Sequence, residues 1–110
     1  MTGSSSLLRD VELAFIRIHI LHHAAEHAVY GLWMREELAE HGYNVAVGTL
    51  YPILHGLEAE GYLTSEERRE GGRRRRYYAA TAQGRALLAE VLGRLGELAD
   101  ETLPPREPGR

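Results

Sequence analysis

The chain of 110 residues contains no cysteine and no lysine. The lack of cysteine excludes a disulfide scaffold and thiol chemistry, and it fits a reducing compartment, so we expect a cytoplasmic protein. No apolar run approaches the roughly 18 residues that a membrane span needs, and no membrane partner is expected. The first residues lack the basic segment that opens a signal peptide. We therefore expect residues 1–6 to form a short disordered lead.

Motifs that would support catalysis are also missing. No Ser, Asp and His arrangement stands in a catalytic context, and the glycines do not form a nucleotide-binding loop. The acidic residues are spread along the surfaces of predicted helices. The sequence therefore indicates a protein that is not an enzyme and that needs no organic cofactor.

Positive charge is concentrated in one segment, although the chain as a whole has a net charge of −3. Residues 1–67 hold three arginines against ten acidic residues, and residues 86–110 hold three against five. Residues 68–85, in contrast, hold seven arginines and one glutamate. Arginine pairs bidentately with phosphate or with a guanine edge, so this segment is a candidate for nucleic-acid contact.

Apolar spacing predicts four helices, over about 7–27, 31–41, 48–60 and 81–101. The first helix is apolar on two opposite sides, which indicates burial against both its own subunit and a second one. In the fourth, leucine and valine repeat at steps of three and four, as in a helix-pairing seam. Together the two helices predict a dimer interface of Phe15, Ile18, Leu88, Val91, Leu95 and Leu98.

The third predicted helix separates core residues from exposed ones. Leu50, Leu57 and either Ile53 or Leu54 form its buried stripe, and Pro52 falls near its first turn, where a missing N–H costs least. Thr49, Tyr51 and His55 are expected to be exposed and to contact phosphates or base edges. An alternative interpretation packs Tyr51 against the hairpin that follows.

That hairpin is predicted over 62–69 and 74–80, around a Gly-Gly pair that tolerates positive φ. Four consecutive arginines, from the last turn residue into the second strand, alternate between the faces of the hairpin, where they can bind phosphates; the alternative is a solvated charged hairpin. These are Arg73, Arg74, Arg75 and Arg76. Thr81 then caps the last helix.

The order helix, helix, helix, hairpin, helix defines a fold class that is mainly α with a small β-hairpin. It is the plan of a winged helix-turn-helix over residues 7–80, followed by a C-terminal dimerisation helix over 81–102. A disordered tail is expected over 103–110, which is rich in proline and charge. In such folds the third helix lies in the major groove of DNA.

Four motifs in register resemble those of PadR-family transcriptional regulators. Gly48-Thr49-Leu50-Tyr51-Pro52 is similar to the family's signature, and Leu57-Glu58 with Gly61 resembles the end of its recognition helix. The run from Gly72 to Tyr78 looks like its wing, and Thr81, Gly84 and Arg85 resemble the start of its last helix. Tyr30-Gly31 is similar to the start of its second helix. The resemblance covers roughly residues 10–100.

The resemblance implies a homodimeric, repressor-like switch with an effector bound near the dimer interface. It implies a pseudo-palindromic double-stranded DNA operator, with the two third helices in successive major grooves. The chain departs from the family at His55 and Gly56, where arginine often stands before Leu-Glu. We therefore expect affinity to come mainly from the arginines of the hairpin. A protein-interaction winged helix without DNA binding is the competing class.

Histidines on the first helix allow a further hypothesis. His19, His23 and His27 recur at every fourth residue, with His22 and Glu26 nearby, and two histidines at that spacing can chelate Zn²⁺. A metal could then be the effector, and pH sensing by the same residues is another hypothesis. The alternative is that these histidines are only hydrogen-bonded or exposed. Trp33 could similarly line an aromatic effector pocket or belong to the core.

Overall fold

A computed structural model describes residues 5–105 of the chain. Four helices and three strands follow one another in the order α1, β1, α2, α3, β2, β3, α4. The helices are α1 (Ser6–Glu26), α2 (Gly31–Glu40), α3 (Val47–Ala59) and α4 (Ala82–Thr102). The strands are β1 (Val29–Tyr30), β2 (Leu63–Glu70) and β3 (Arg73–Ala80). The fold class is thus mainly helical with a small antiparallel sheet, as the sequence predicted.

The sequence predicted disorder before α1, over residues 1–6, and after α4, over residues 103–110. The Ser5 hydroxyl accepts a hydrogen bond from the Leu8 N–H at 3.1 Å, so α1 begins at Ser6 and the last two residues of the expected lead are ordered. At the other end, Leu103 caps α4. Residues 1–4 and 106–110, where the rest of the lead and most of the tail were expected, lie outside the described residues.

The core forms where the three N-terminal helices meet the sheet. Ile16, Ile20 and Ala24 supply it from α1, while Leu38 supplies it from α2. On α3 the buried positions are Leu50, Leu54 and Leu57, which confirms that Leu54, rather than Ile53, completes the stripe. Apolar burial of this kind contributes about 1.5–3 kcal/mol per large side chain.

Glycines end the second and third helices and turn the hairpin. Gly42 and Gly61 have φ of 92° and 90°, a left-handed conformation that commonly ends a helix. Gly71 and Gly72 both have positive φ, as the hairpin prediction required. Pro52, however, is the sixth residue of α3 and not in its first turn, so it removes a regular hydrogen bond to the Gly48 carbonyl.

The sheet has one strand more than the hairpin. The order is β1-β3-β2, and β1 pairs antiparallel with β3 through Val29 with Tyr78 and Tyr30 with Tyr77. This two-residue strand attaches the hairpin, which we call the wing (Leu63–Ala80), to the segment between α1 and α2. None of the helices in the described part of the chain is long and apolar enough to cross a membrane.

The last helix is anchored at its first turn. Thr81 accepts a hydrogen bond from the Gly84 N–H at 3.0 Å, and its hydroxyl donates to the Gly61 carbonyl at 2.6 Å. Gly84 lies against the backbone carbonyl of Tyr62, so close that a Cβ there would clash. The beginning of α4 is therefore fixed to the end of α3, while its later turns extend along α1.

Candidate nucleic-acid interface

The three α3 residues predicted to meet DNA do not share one environment. Thr49 and His55 are exposed on the helix surface. Tyr51 is half-buried, and its ring lies directly against Gly31 at the start of α2, where a Cβ would clash with the ring and its hydroxyl. Gly31 thus allows α3 to approach α2 closely. Tyr51 therefore packs against α2, whereas the alternative interpretation placed it against the hairpin.

On the wing, the register places the four consecutive arginines on alternate faces of β3. Arg74 and Arg76 lie on the face of the buried Tyr78, whereas Arg73 and Arg75 lie on the face of Tyr77. Across the ladder, Arg74 pairs with Arg69 and Arg75 with Arg68, so like charges stand opposite one another. Directly opposed like charges destabilise a sheet, and a bound polyanion would relieve that cost.

Two of the wing arginines are held by neighbouring side chains. The Arg75 guanidinium lies over the Tyr30 ring, 4.3 Å from its centroid, and 3.9 Å from the Glu70 carboxylate. Arg68 lies 4.4 Å from the centroid of the Tyr77 ring and donates to Glu66 at 2.7 Å. Both arginines therefore have a structural role within the wing.

Other arginines of the wing are more available. Arg76 donates to the Ser65 hydroxyl at 3.1 Å and remains exposed. Arg69, Arg73 and Arg74 are exposed and make no ion pair with any residue in the described range 5–105. These three side chains keep all their guanidinium donors for a partner, which makes them the strongest phosphate-contact candidates.

A groove of about 210 Å³ joins the wing to the helices. It brings Tyr51 together with all four predicted wing arginines, but it includes neither Thr49 nor His55. Its remaining lining residues are Tyr30, Gly31 and Leu32. Tyr30 and Arg69 were not among the predicted site residues. The only sequence signal for Tyr30 was its place beside Gly31, and Arg69 was visible only as part of the basic segment.

The predicted dimer residues divide into a buried and an open group. Leu88 belongs to the core of the subunit, with 9% of its surface exposed. Phe15, Ile18 and Leu95 instead line an open apolar groove of about 320 Å³ between α1 and α4, together with Leu92, His19 and His22. Val91 is half-buried, and Leu98 is 52% exposed. The apolar face that remains open is therefore formed by Phe15, Ile18, Leu92, Leu95 and Leu98.

Three histidines converge between α1 and the end of α2. The ligand atoms of His19, His23 and His41 lie within 4.8 Å of one another; we call these residues the histidine cluster. The Glu37 carboxylate lies 3.4 Å from His23 Nε2 and 3.3 Å from His41 Nε2. Burial, followed by the charge of His41, lowers the pKa of His19; burial also lowers the pKa of His23, against the opposing effect of Glu37.

His27, the third member of the predicted metal set, does not belong to this cluster. Its ring packs edge-on against Trp33, with 5.2 Å between the ring centroids, and its Nδ1 lies 3.2 Å from the Ala28 carbonyl oxygen. The helix ends at Glu26, so His27 leaves the line of His19 and His23. Its place is taken by His41, the residue that caps the end of α2, which spacing along α1 could not indicate. Trp33 is half-buried against the core.

A model of the PadR-like family of transcriptional regulators matches residues 20–90. The chain belongs to this PadR-like family. It is 54% identical to transcriptional regulator Rv3488 of Mycobacterium tuberculosis over 96 residues, which are 87% of this chain and 90% of that protein.

Solved PadR-family structures share the fold. A regulator from Eggerthella lenta superposes with a TM-score of 0.76 and 31% identity, over 87% of this chain and 85% of its own. A PadR-like regulator from Bacillus cereus superposes with a TM-score of 0.71 and 25% identity, over 93% of this chain and 100% of its own. These relatives are transcriptional regulators and not enzymes, in agreement with the lack of catalytic motifs. The winged helix described above is thus the DNA-binding fold of a PadR-family regulator.

Proposed function

We propose that this PadR-family regulator is a cytoplasmic, ligand-responsive repressor that binds a pseudo-palindromic operator as a homodimer. The observation that carries the DNA-binding part is the wing, where Arg69, Arg73 and Arg74 are exposed and unpaired within the described chain. Neutralising phosphates releases counterions from DNA, which supplies affinity that does not depend on sequence. Thr49 and His55 on α3 supply a smaller part of the affinity through phosphates, and their contacts with base edges supply the sequence-dependent part.

Dimerisation is supported by the open apolar face on α1 and α4. Phe15 and Leu92 line one groove and are 36% and 47% exposed, and Leu98, further along α4 than Leu92, is 52% exposed. Exposure of large apolar side chains to water is costly. A second copy of the chain would cover this face by pairing α1 and α4 across a two-fold axis. Such an axis gives the two α3 helices the symmetry of a pseudo-palindrome, with half-sites about one helical turn apart.

An effector acts, in this proposal, by favouring one angle between the two subunits. The spacing of the α3 helices follows from that angle, so a ligand that binds one arrangement more tightly shifts the affinity for the operator. The open groove between α1 and α4 lies at the face that would be shared by the subunits. A ligand in that groove would contact both copies.

The direct test is a gel-shift titration on the DNA upstream of the protein's own coding sequence. The double variant Arg73→Ala with Arg74→Ala should weaken binding at least about 10-fold, since each chain loses two phosphate contacts. Arg94→Ala is the matched control, because Arg94 is exposed on α4 and pairs only weakly with Glu90 at 3.8 Å. Equal binding by both variants and wild type would instead favour a winged helix that binds a protein.

A further inference from the structure

The histidine cluster and Glu37 have the composition of a transition-metal site. Imidazole nitrogen and carboxylate oxygen are common ligands of Zn²⁺ and related ions, with metal–ligand distances of about 2.0–2.2 Å. In a tetrahedron of that size, neighbouring ligand atoms lie about 3.4 Å apart. Glu37 Oε2 already lies 3.3 Å from His41 Nε2 and 3.4 Å from His23 Nε2. These two separations match edges of a tetrahedral site, and the ligand atoms of the three histidines lie within 4.8 Å of one another.

The helix α1 and the C-terminal end of α2, including its cap residue His41, contribute the four side chains. His19 and His23 stand at i and i+4 on α1, where their rings stack with centroids 6.5 Å apart. Glu37 and His41 stand at i and i+4 at the end of α2. The rings of His19 and His41 meet with centroids 4.7 Å apart, which closes the set across the two helices. Each helix therefore offers a chelating pair, and the two pairs face each other.

A second group, His22 with His23 and Glu26, competes for the same His23. It lies on a single helix, and His22 and Glu26 are about half-exposed and separated by 3.7 Å. His41 is 48% exposed, like His22, but Glu37 is only 24% exposed and His19 is half-buried, so two ligands of the site between the helices are more enclosed than His22 and Glu26. Groups already held in place lose less side-chain freedom when they bind an ion, so the site between the helices is favoured over the single-helix group.

We propose that His19, His23, His41 and Glu37 bind one Zn²⁺-class transition-metal ion per chain. The ion takes the position between the imidazoles and the carboxylate and connects α1 to the C-terminal end of α2. This places a metal link between the helix that carries the open apolar face and the helix that packs against α3. Binding of the ion to the chain is independent of whether the protein binds DNA.

The test is a calorimetric titration of the metal-free full chain with ZnCl₂, with the fluorescence of Trp33 as a second readout. Trp33 is the only tryptophan, and its ring lies edge-on to the His23 ring with centroids 5.4 Å apart. We expect one ion per chain and a change in Trp33 fluorescence that saturates at the same ratio. His19→Ala and His41→Ala should each weaken binding at least about 100-fold, more than the loss of a residue that only hydrogen-bonds to a metal ligand usually costs.

His27→Ala and His22→Ala are the matched controls, because both remove a histidine from the same segment and neither belongs to the proposed set. Both should bind within about threefold of wild type. Co²⁺ in place of Zn²⁺ should give the visible absorption of a tetrahedral complex, and this band should be lost in His41→Ala. Circular dichroism of each variant verifies that it is folded. Absence of saturable binding, or retention of full affinity by folded His41→Ala, would overturn the proposal.

Discussion

The guanidinium of Arg75 stacks on the ring of Tyr30, 4.3 Å from its centroid. The contact joins the wing to the two-residue strand before α2, and therefore to the helix against which α3 packs. It divides the run of four arginines by role. Arg75 fixes the wing in position, whereas Arg73 and Arg74 are free to meet phosphates.

The stacking contact predicts a difference in stability between neighbouring arginines. Arg75→Ala should lower the free energy of unfolding by about 0.5–1 kcal/mol, the usual worth of an exposed cation–π contact. Arg74→Ala, which removes an exposed side chain, should change it by less than about 0.5 kcal/mol. Urea unfolding followed by circular dichroism measures both values. Equal values for the two variants would mean that the stacking contributes nothing to stability.

Thr81 should be important for stability because its hydroxyl makes two contacts. It accepts from the Gly84 N–H at 3.0 Å and donates to the Gly61 carbonyl at 2.6 Å. Thr81→Ala should cost about 1–2 kcal/mol, through the lost helix cap and the unsatisfied carbonyl. Thr81→Ser keeps the hydroxyl and should recover most of this loss. Thermal unfolding of the two variants measures the difference, and a serine variant as unstable as the alanine variant would argue against the capping role.

Two glycines of α4 should respond in opposite directions to the same substitution. A Cβ at Gly84 would clash with the Tyr62 carbonyl, so Gly84→Ala should destabilise the fold by about 1–3 kcal/mol. A Cβ at Gly93 meets no atom of the described residues within 4 Å, and Gly93→Ala should stabilise the helix by up to about 1 kcal/mol. Chemical denaturation of both variants tests the pair. Stabilisation by Gly84→Ala would show that α4 does not approach Tyr62 so closely.

Tyr78 should make the fold sensitive to alkaline pH. Burial, followed by the charge of Glu58, raises the pKa of its hydroxyl above the ordinary value of 10.0. Between those two pKa values the unfolded chain loses a proton that the folded chain keeps. Stability from this group is therefore complete below pH 10.0 and decreases as the pH rises through the folded-state pKa.

The comparison that isolates this effect is Tyr78→Phe, which removes the titrating group and keeps the ring. The wild-type free energy of unfolding should decrease more steeply than that of the variant above pH 10.0, and urea unfolding at several pH values measures the two slopes. Parallel slopes would show that Tyr78 does not cause the sensitivity.

Much of the fold could be predicted because its signals are local. The apolar spacing of the helices, the Thr81 cap and the Gly-Gly turn each act within a few residues, and the structure follows them. The strand Val29–Tyr30 could not be predicted, because two residues have no periodicity and the strand exists only through its pairing with β3.

Only part of the candidate site could be predicted, because some of its contacts join residues that are far apart in the sequence. The wing arginines were visible as a charge run, but the stacking of Arg75 on Tyr30 depends on the strand that was missed. His41 was likewise hidden, because it joins His19 and His23 from another helix. Leu88 follows the apolar spacing of the predicted seam, yet it belongs to the core cluster of the subunit itself.

The salt dependence of DNA binding tests the central claim most directly. If each chain of the proposed dimer neutralises about three phosphates, a plot of log K against log salt should have a slope of roughly −5. In this proposal the exposed arginines Arg69, Arg73 and Arg74 would supply these three contacts. Fluorescence anisotropy with labelled upstream DNA over a series of salt concentrations measures the slope. A slope near −5 is predicted, and a slope near zero would contradict DNA binding through the arginines of the wing.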